Sequence, residues 1–460
     1  MSACRRLWWL GLGTALVLGL AWAQEPASAR RTPGVPLDRF LNVLAEDPRL
    51  ALRSLDEIGD NWDNSHTILL LELAQLIEAP ALLSHLYEVI AFHTGQVFGP
   101  VPPGSINARA LQWVWAQGLG VPANYAEFKA ELYGREHDTF RAFFSSALPT
   151  KVRLDEVLWT GQTPDEIPGV HAPKLVAAPE ATELKPGHLV VGLEHRGEAR
   201  AYPKHLLAAH LLVSDTVGGE KVIVSAGPWS GAAVAYRAST SDGTTHSFRP
   251  SGFVYRGSEL LYDERTKSLW CALTGRAVVG RLAGQNLALD PLPVVTTTWA
   301  DWRRRHPNTR VLASPLPEPP ARPLLVSGLE PGLLPVPTPD QRLAPRTEVL
   351  VVRGQSALED PLALPGAFLY QNPVHHGKVG PVEFVVLTDT AGANRVYDSG
   401  GRRFATWDRQ ATAVDAQRKV WRLTESALRT DDGLVLRRLL AHRVYWYAWA
   451  AHYPTTRLLK

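Results

Sequence analysis

Between about Leu37 and Ser146 the apolar residues return every three or four positions, the spacing of helices with one buried face. Leu69, Leu73, Leu76 and Ile77 fall at i, i+4, i+7 and i+8, and Leu83, Leu86, Tyr87 and Ile90 resume the stripe after a break at Ala79-Pro80. Shorter helices are predicted around Ile106, Ala110 and Val114, around Tyr125, Phe128 and Leu132 behind a cap at Asn124, and around Phe140, Phe143 and Phe144. Such short helices, separated by Pro and Gly loops, make a small bundle or a HEAT-like stack. After Lys151 the pattern changes to short alternating runs with turn signals, which predicts strands. Leu211 to Val217 and Lys221 to Ser225 flank Gly218-Gly219 as a hairpin. Ala233 to Ser239 and Thr244 to Phe248 flank Asp242-Gly243 as a second one, with Val234, Tyr236 and Ala238 on one face.

One phrase occurs twice. Trp302-Arg-Arg-Arg-His-Pro307-Asn-Thr309-Arg310-Val-Leu312 and Trp449-Ala-Ala-His-Tyr-Pro454-Thr-Thr456-Arg457-Leu-Leu459 both read Trp-x4-Pro-x-Thr-Arg-aliphatic-Leu. Arg196-Gly197 is answered by Arg353-Gly354, Gly231 and Tyr236 by Gly392 and Tyr397, and Asp263 and Trp270 by Asp415 and Trp421, in unbroken order. Matches at a spacing of roughly 150 residues indicate a duplicated unit. The expected class is therefore α+β, an N-terminal helical (HEAT-like or bundle) domain followed by two homologous β-rich units. Its expected parts are a signal peptide at 1–23, a linker at 24–36, the helical domain at 37–150, one β-rich unit at 151–313, a Pro-rich connector at 314–346 and the second unit at 347–460. Ten prolines fall between Ser314 and Arg346.

The leader reading rests on Arg5-Arg6, the apolar run Leu7 to Leu20, and the small-x-small pattern Ala21-Trp22-Ala23. The run is shorter than the ~20 residues a membrane span needs, so the expected product is extracytoplasmic, periplasmic or secreted, with no transmembrane segment. Cleavage near Ala23 would remove Cys4 and the only Met, leaving Cys271 with no disulfide partner; it reads as a small buried hydrophobe. The chain carries 48 Lys and Arg against 45 Asp and Glu, and the leader takes two of the bases with it. Near neutrality argues against a nucleic-acid partner.

Several linked segments carry a resemblance to a known family: Arg196 to Lys204, His210 to Gly219, Ser251 to Trp270, Leu273-Thr-Gly275, Val279-Gly280 and the phrase at Trp302. The stretch from about Asp155 to Lys460 resembles the bacterial family labelled domain of unknown function 3179. The helical segment, including Asn61-Trp62-Asp63 and Thr94-Gly95, is similar to the N-terminal region of its long members. The family lends no established activity. Where its members typically carry Cys-x-x-Cys-Gly, this chain reads Gly227-Pro228-Trp229-Ser230-Gly231. Thiolates are both the metal-binding and the nucleophilic form of cysteine, so either chemistry is lost from this loop. His210 corresponds to a family histidine in a Trp-His-Glu context, here Ala209-His210-Leu211.

Candidate catalytic residues are His210, Asp215 as the group that would orient it, and Ser230 in the altered loop. Candidate ligand-binding residues are Tyr202, Trp229, Tyr255 and Trp270, which with Tyr262 would form a stacking platform or simply pack a β core. Asp263-Glu264 reads as a turn, and His375-His376 as a loop without a third metal ligand. No motif implies a cofactor or a metal. The leading expectation is an exported protein that binds an unknown small molecule or protein; the alternative is an extracytoplasmic enzyme centred on His210 and the 227–231 loop.

Overall fold

The computed structural model describes residues 34–99, 103–164, 166–316, 333–353 and 361–459. The signal peptide at 1–23, the linker as far as residue 33, and the middle of the Pro-rich connector lie outside these. Helices gather at the N-terminal end and sheets follow, so the class is α+β.

The helical region comprises α1 (Leu37–Asn42), α2 (Pro48–Asp60), α3 (His66–Ala74), α4 (Pro80–Thr94), α5 (Pro103–Ala116) and α6 (Tyr125–Gly134). Asp47 caps α2, its carboxylate accepting from the Arg49 N–H at 2.9 Å, with Pro48 at the first helical position. Gly95, at φ +69°, closes α4 by donating to the Ala91 carbonyl. Asn124 makes no side-chain capping bond to α6, contrary to the sequence expectation. α3 is buried on every side, with α1, α4 and α5 packed against it. It therefore buries a carboxylate too: Glu72 accepts from Tyr125 Oη at 2.5 Å, Lys129 Nζ at 2.7 Å and Tyr133 Oη. The same ammonium donates to the Val157 carbonyl at 2.8 Å, and Trp115 Nε1 donates to Asp155 at 3.1 Å. Phe140, Phe143 and Phe144 surround Phe253. Helices and first β-rich unit thus share one core.

That unit, from 151 to 313, holds three sheets. One runs in the order Val294–Thr298, Leu189–His195, Glu198–Pro203, Arg310–Leu312, Leu175–Ala177; the Arg310 strand is parallel to its Glu198 neighbour. A second contains the predicted hairpin, Val213–Val217 and Glu220–Ala226, beside Ala233–Thr240. The second predicted hairpin forms only beside its turn, where Ser239 and Thr245 make a single antiparallel bridge. Thr240 and Gly243 close a local turn, but Phe248–Tyr255 leaves to pair with Val157–Trp159 and Ser258–Asp263 in the third sheet.

The unit from 347 repeats this order: Ala441–Tyr445, Glu348–Val352, Leu362–Pro365, then Arg457–Leu458 parallel to it. In each unit a short helix precedes the closing strand, α8 (Trp299–Arg305) and α10 (Trp446–His452), and another follows the second strand, α7 (Lys204–His210) and α9 (Gly366–Gln371). The repeated phrase has one geometry in both places. Trp302 Nε1 donates to Thr309 Oγ1 at 3.0 Å and Trp449 Nε1 to Thr456 Oγ1 at 2.9 Å, which explains why Trp and Thr keep their distance. Arg310 then reaches the Leu175 carbonyl and Arg457 the Lys378 carbonyl, both at 2.9 Å.

Each closing helix packs on its own unit's sheet and also touches the other unit. From α8, Asp301 lies 4.0 Å from Arg395 and Arg305 lies 3.5 Å from Asp389, and within the second unit buried Arg395 meets Asp389 and Glu425 at 2.8 Å and Arg438 meets Glu425 at 3.1 Å. α10 docks on the first unit, where Tyr447 Oη donates to the Trp229 carbonyl at 3.1 Å and Arg256 to the Ala451 carbonyl at 2.8 Å. Replacing Arg395 with Leu would leave Asp389 and Glu425 buried without their cation. We expect a loss of roughly 3–5 kcal/mol in urea unfolding; a loss below ~1 kcal/mol would contradict the role given to this network.

Candidate functional site

His210 ends α7 and is buried, with Nδ1 2.8 Å from the Pro168 carbonyl. Asp215 is engaged elsewhere: it accepts from Tyr202 Oη at 2.8 Å and from the Thr216 N–H at 2.7 Å, and lies 3.5 Å from Arg200 Nε. Burial, then the Asp215 charge, holds the Tyr202 phenol well above its usual range. Among the described residues no hydrogen bond joins His210 to Asp215. Asp215 instead lines an open cleft of about 450 Å³ with His171, Lys221 and His246. Ser230 Oγ accepts from the Ala232 N–H at 3.2 Å, a turn bond, while its carbonyl accepts from the Tyr445 N–H at 2.7 Å.

The aromatic set divides among three cores. Tyr202 packs within the first unit, Trp270 packs with Phe248 and His246, and Trp229, Tyr255 and Tyr262 join the large core shared with the helices and α10. His375 and His376 lie on the strand Val374–Val379 rather than in a loop, and His376 Nε2 accepts from the Phe404 N–H at 2.9 Å. Cys271 is buried on Leu269–Cys271, with Sγ 3.5 Å from Ser258 Oγ. Asp263 binds the Thr266 N–H at 2.8 Å and also the Thr266 hydroxyl; burial opposes its ionisation, but His246 and Thr266 hold it down to about 2. It is the turn acid the sequence suggests. Among the described residues no group of three or more His, Cys, Asp or Glu is placed to hold a metal ion, and no helix is long and apolar enough to cross a membrane.

The altered loop has a physical counterpart that the sequence did not announce. Glu259, on Ser258–Asp263, is buried beneath Gly227, and its Oε1 has no hydrogen-bond partner. A Cβ at 227 would stand 2.1 Å from this carboxyl group. A cysteine at 227, as in the family motif, and this rotamer of Glu259 therefore exclude each other. Burial raises the Glu259 pKa to about 7, against weaker opposing bonds from its own and the Trp229 backbone.

At the joint between the units lies an open pocket of about 240 Å³. Tyr255, Cys271, Thr274 and Arg276 of the first unit and His452 and Tyr453 of the second line it, with Lys151 at its edge. His452 is partly exposed, but its Nε2 is shut off from solvent without a hydrogen-bond partner, as are His442 Nε2 and Arg353 Nε nearby. Burial, then the Arg256 charge, drives His452 down to about 3, with the Tyr255 backbone opposing, and burial raises the Cys271 thiol. Both stay neutral near pH 7, so no thiolate–imidazolium pair forms. A larger groove of about 750 Å³ runs beside the helices, but its charged lining, Glu46, Glu78, Arg135 and Glu136, is solvent-exposed.

A comparison with known families settles the affiliation: residues 164–456 match the family described as protein of unknown function (DUF3179). The chain belongs to that family. No curated protein and no solved structure matches it significantly. The DUF3179 loop at 227–231 falls inside the matched region, as does the pocket apart from Lys151 and Val152.

Glu259 makes a pH prediction. Its folded pKa of about 7 stands above the ordinary carboxyl value of 4.5, so its contribution is fully present below about pH 4.5 and is lost as pH rises through about 7. The loss is roughly 3 kcal/mol. Glu259→Gln should flatten that part of the stability profile in urea titrations run from pH 5 to 8. An unchanged slope would refute the assignment.

Proposed function

We propose that this protein is an exported small-molecule binding protein in which two β-rich units, related by duplication, clasp a ligand at their joint. The pocket between Cys271 and Tyr453 carries the reading: both units line it, and one lining residue, His452, has a buried Nε2 with no protein partner. A buried nitrogen left without a partner costs free energy. The neutral thiol and imidazole favour binding over nucleophilic chemistry. The enzyme alternative at His210, Asp215 and Ser230 draws no comparable support, since each of these side chains is spent on a structural bond.

Duplication is supported by the matching strand orders and by the Trp-to-Thr bond made in both copies of the phrase. The central burial of α3 favours a bundle over a HEAT-like stack. Export is supported by the pattern Arg5 to Ala23.

A ligand that binds the folded chain raises its unfolding temperature by mass action. A thermal-shift panel of small metabolites should give at least one saturable rise, absent in Leu287→Trp, which fills the cavity from its rim. A panel that moves neither protein sinks the binding reading. N-terminal sequencing of the protein from the cell exterior or periplasm should begin at Gln24. An intact Met1 would remove the export half.

A further inference from the structure

We propose that the basic outer face of the last sheet docks on the acid-rimmed groove of the helical region in a second copy of this chain.

That sheet runs in the order Phe404–Trp407, Thr412–Asp415, Val420–Leu423, Ala427–Arg429, Val435–Arg437. Alternation gives it two unlike faces. Phe404, Ala413, Trp421 and Leu428 join a core with Val385 and Tyr397. On the opposite face the register sets Thr412, Arg422, Arg429 and Val435 in one row across four strands, with Val420 and Arg437 one step along the strands from that row. Val420 is 49% exposed and Val435 47%. Arg422 thus stands directly opposite Arg429, and like charges so placed repel. Asp431 offsets Arg422 at 3.2 Å, but among the described residues the Arg429 and Arg437 side chains form no hydrogen bond or ion pair.

In the first unit the matching face is covered. Trp421 answers Trp270, so Val420 and Arg422 answer Leu269 and Cys271, which lie in the core shared with the helices; this comparison rests on the duplication reading. The helical region covers one sheet and leaves its counterpart open. Arginine in place of an apolar residue selects a cover of opposite charge.

This chain supplies such a cover. From Leu37 to Ser146 there are 14 Asp and Glu against 7 Lys and Arg, whereas from Thr347 onward 15 bases exceed 11 acids, so the two ends of the chain carry opposite net charge. The groove of about 750 Å³ beside the helices gathers part of that acidity: Glu46, Glu78 and Glu136 stand exposed around the less exposed Val43, Leu76 and Ile77. Among the described residues none of the three glutamates forms an ion pair, and the one base in the lining, Arg135, reaches the Leu41 carbonyl at 3.4 Å. An apolar centre with an acidic rim is the complement of exposed valines set among arginines. A bilayer is the rival anionic surface, yet Asp431 and Asp432 stand exposed beside these arginines, where lipid phosphates would repel them. Because the face of one copy meets the groove of the next, association does not stop at the dimer.

The test is sedimentation velocity and light scattering on the full chain, wild type beside two charge-reversal variants, Arg429→Glu with Arg437→Glu and Glu78→Arg with Glu136→Arg. Wild type should gain mass with concentration, past the dimer, and lose it in molar salt, which screens charges beyond a few ångströms. Each variant alone should associate at least roughly tenfold more weakly, since its face and its groove then carry like charge. Mixed, the two variants should associate again, because the acidic face of one meets the basic groove of the other. All four positions are exposed, so both variants should unfold at the wild-type temperature; if the groove variant does not fold, Glu46→Arg replaces it. A wild type that stays monomeric, a variant that associates undiminished, or a mixture that stays apart overturns the proposal. Monomers that float with phosphatidylglycerol vesicles, and cease to with Arg429→Glu and Arg437→Glu, overturn it too and give the face to a lipid surface.

Discussion

Arg395 is buried to 1% exposure, and a guanidinium in that position has to be neutralised where it stands. Its carboxylates come from separate places: Asp389 after one strand, Glu425 from a turn four strands further on, and Asp301, 4.0 Å away, from α8 of the other unit. Only the docked arrangement brings all three together. The charge network therefore fixes how α8 enters the second unit, and the chain connectivity then limits where α10 can lie on the first. α10 docks mainly by packing, with Trp446, Tyr447, Ala448 and Trp449 in the core that runs back to the helices. One side of the joint is locked by charge and the other by apolar contact, and the open pocket lies on the second of these.

Local pattern was a good guide wherever one face of an element meets the core. The stripes at Leu69 and Leu83 became α3 and α4, and Gly218-Gly219 became the turn of a real hairpin. Elements failed to follow the pattern where their partner lies far along the chain. Asp242-Gly243 makes its turn, but Phe248 belongs to a strand whose neighbours begin at Val157 and Ser258. Alternation specifies which face of a strand is buried and says nothing of which sheet it enters. His375-His376 looked like a loop because two histidines break the apolar alternation; on the strand, one is satisfied by the Phe404 backbone and the other lies against Phe368.

The candidate site was less legible. Of the residues singled out by sequence, Tyr255 lines the joint cavity and Trp229 lends its carbonyl to Tyr447, whereas His210, Asp215 and Ser230 are absorbed into local bonds. Glu259 carries no motif; its significance is the space it takes below Gly227. Arg276 and His452 are separated by a long stretch of sequence and line one pocket only because α10 reaches the first unit.

On the duplication reading, the pairing of two like units in one chain has a consequence for how their joint can change. When two separate copies of one chain pair about a twofold axis, a residue at the interface occurs on both sides, and any substitution is imposed twice. Joining the copies in one polypeptide lifts that constraint, because each half of the joint is then encoded by its own codons. One half can keep Arg395 and Glu425 as an internal lock while the other carries Val234 and Thr274 at the matching positions. On the duplication reading, the difference between Glu425 and Thr274 is a freedom that no symmetric dimer possesses.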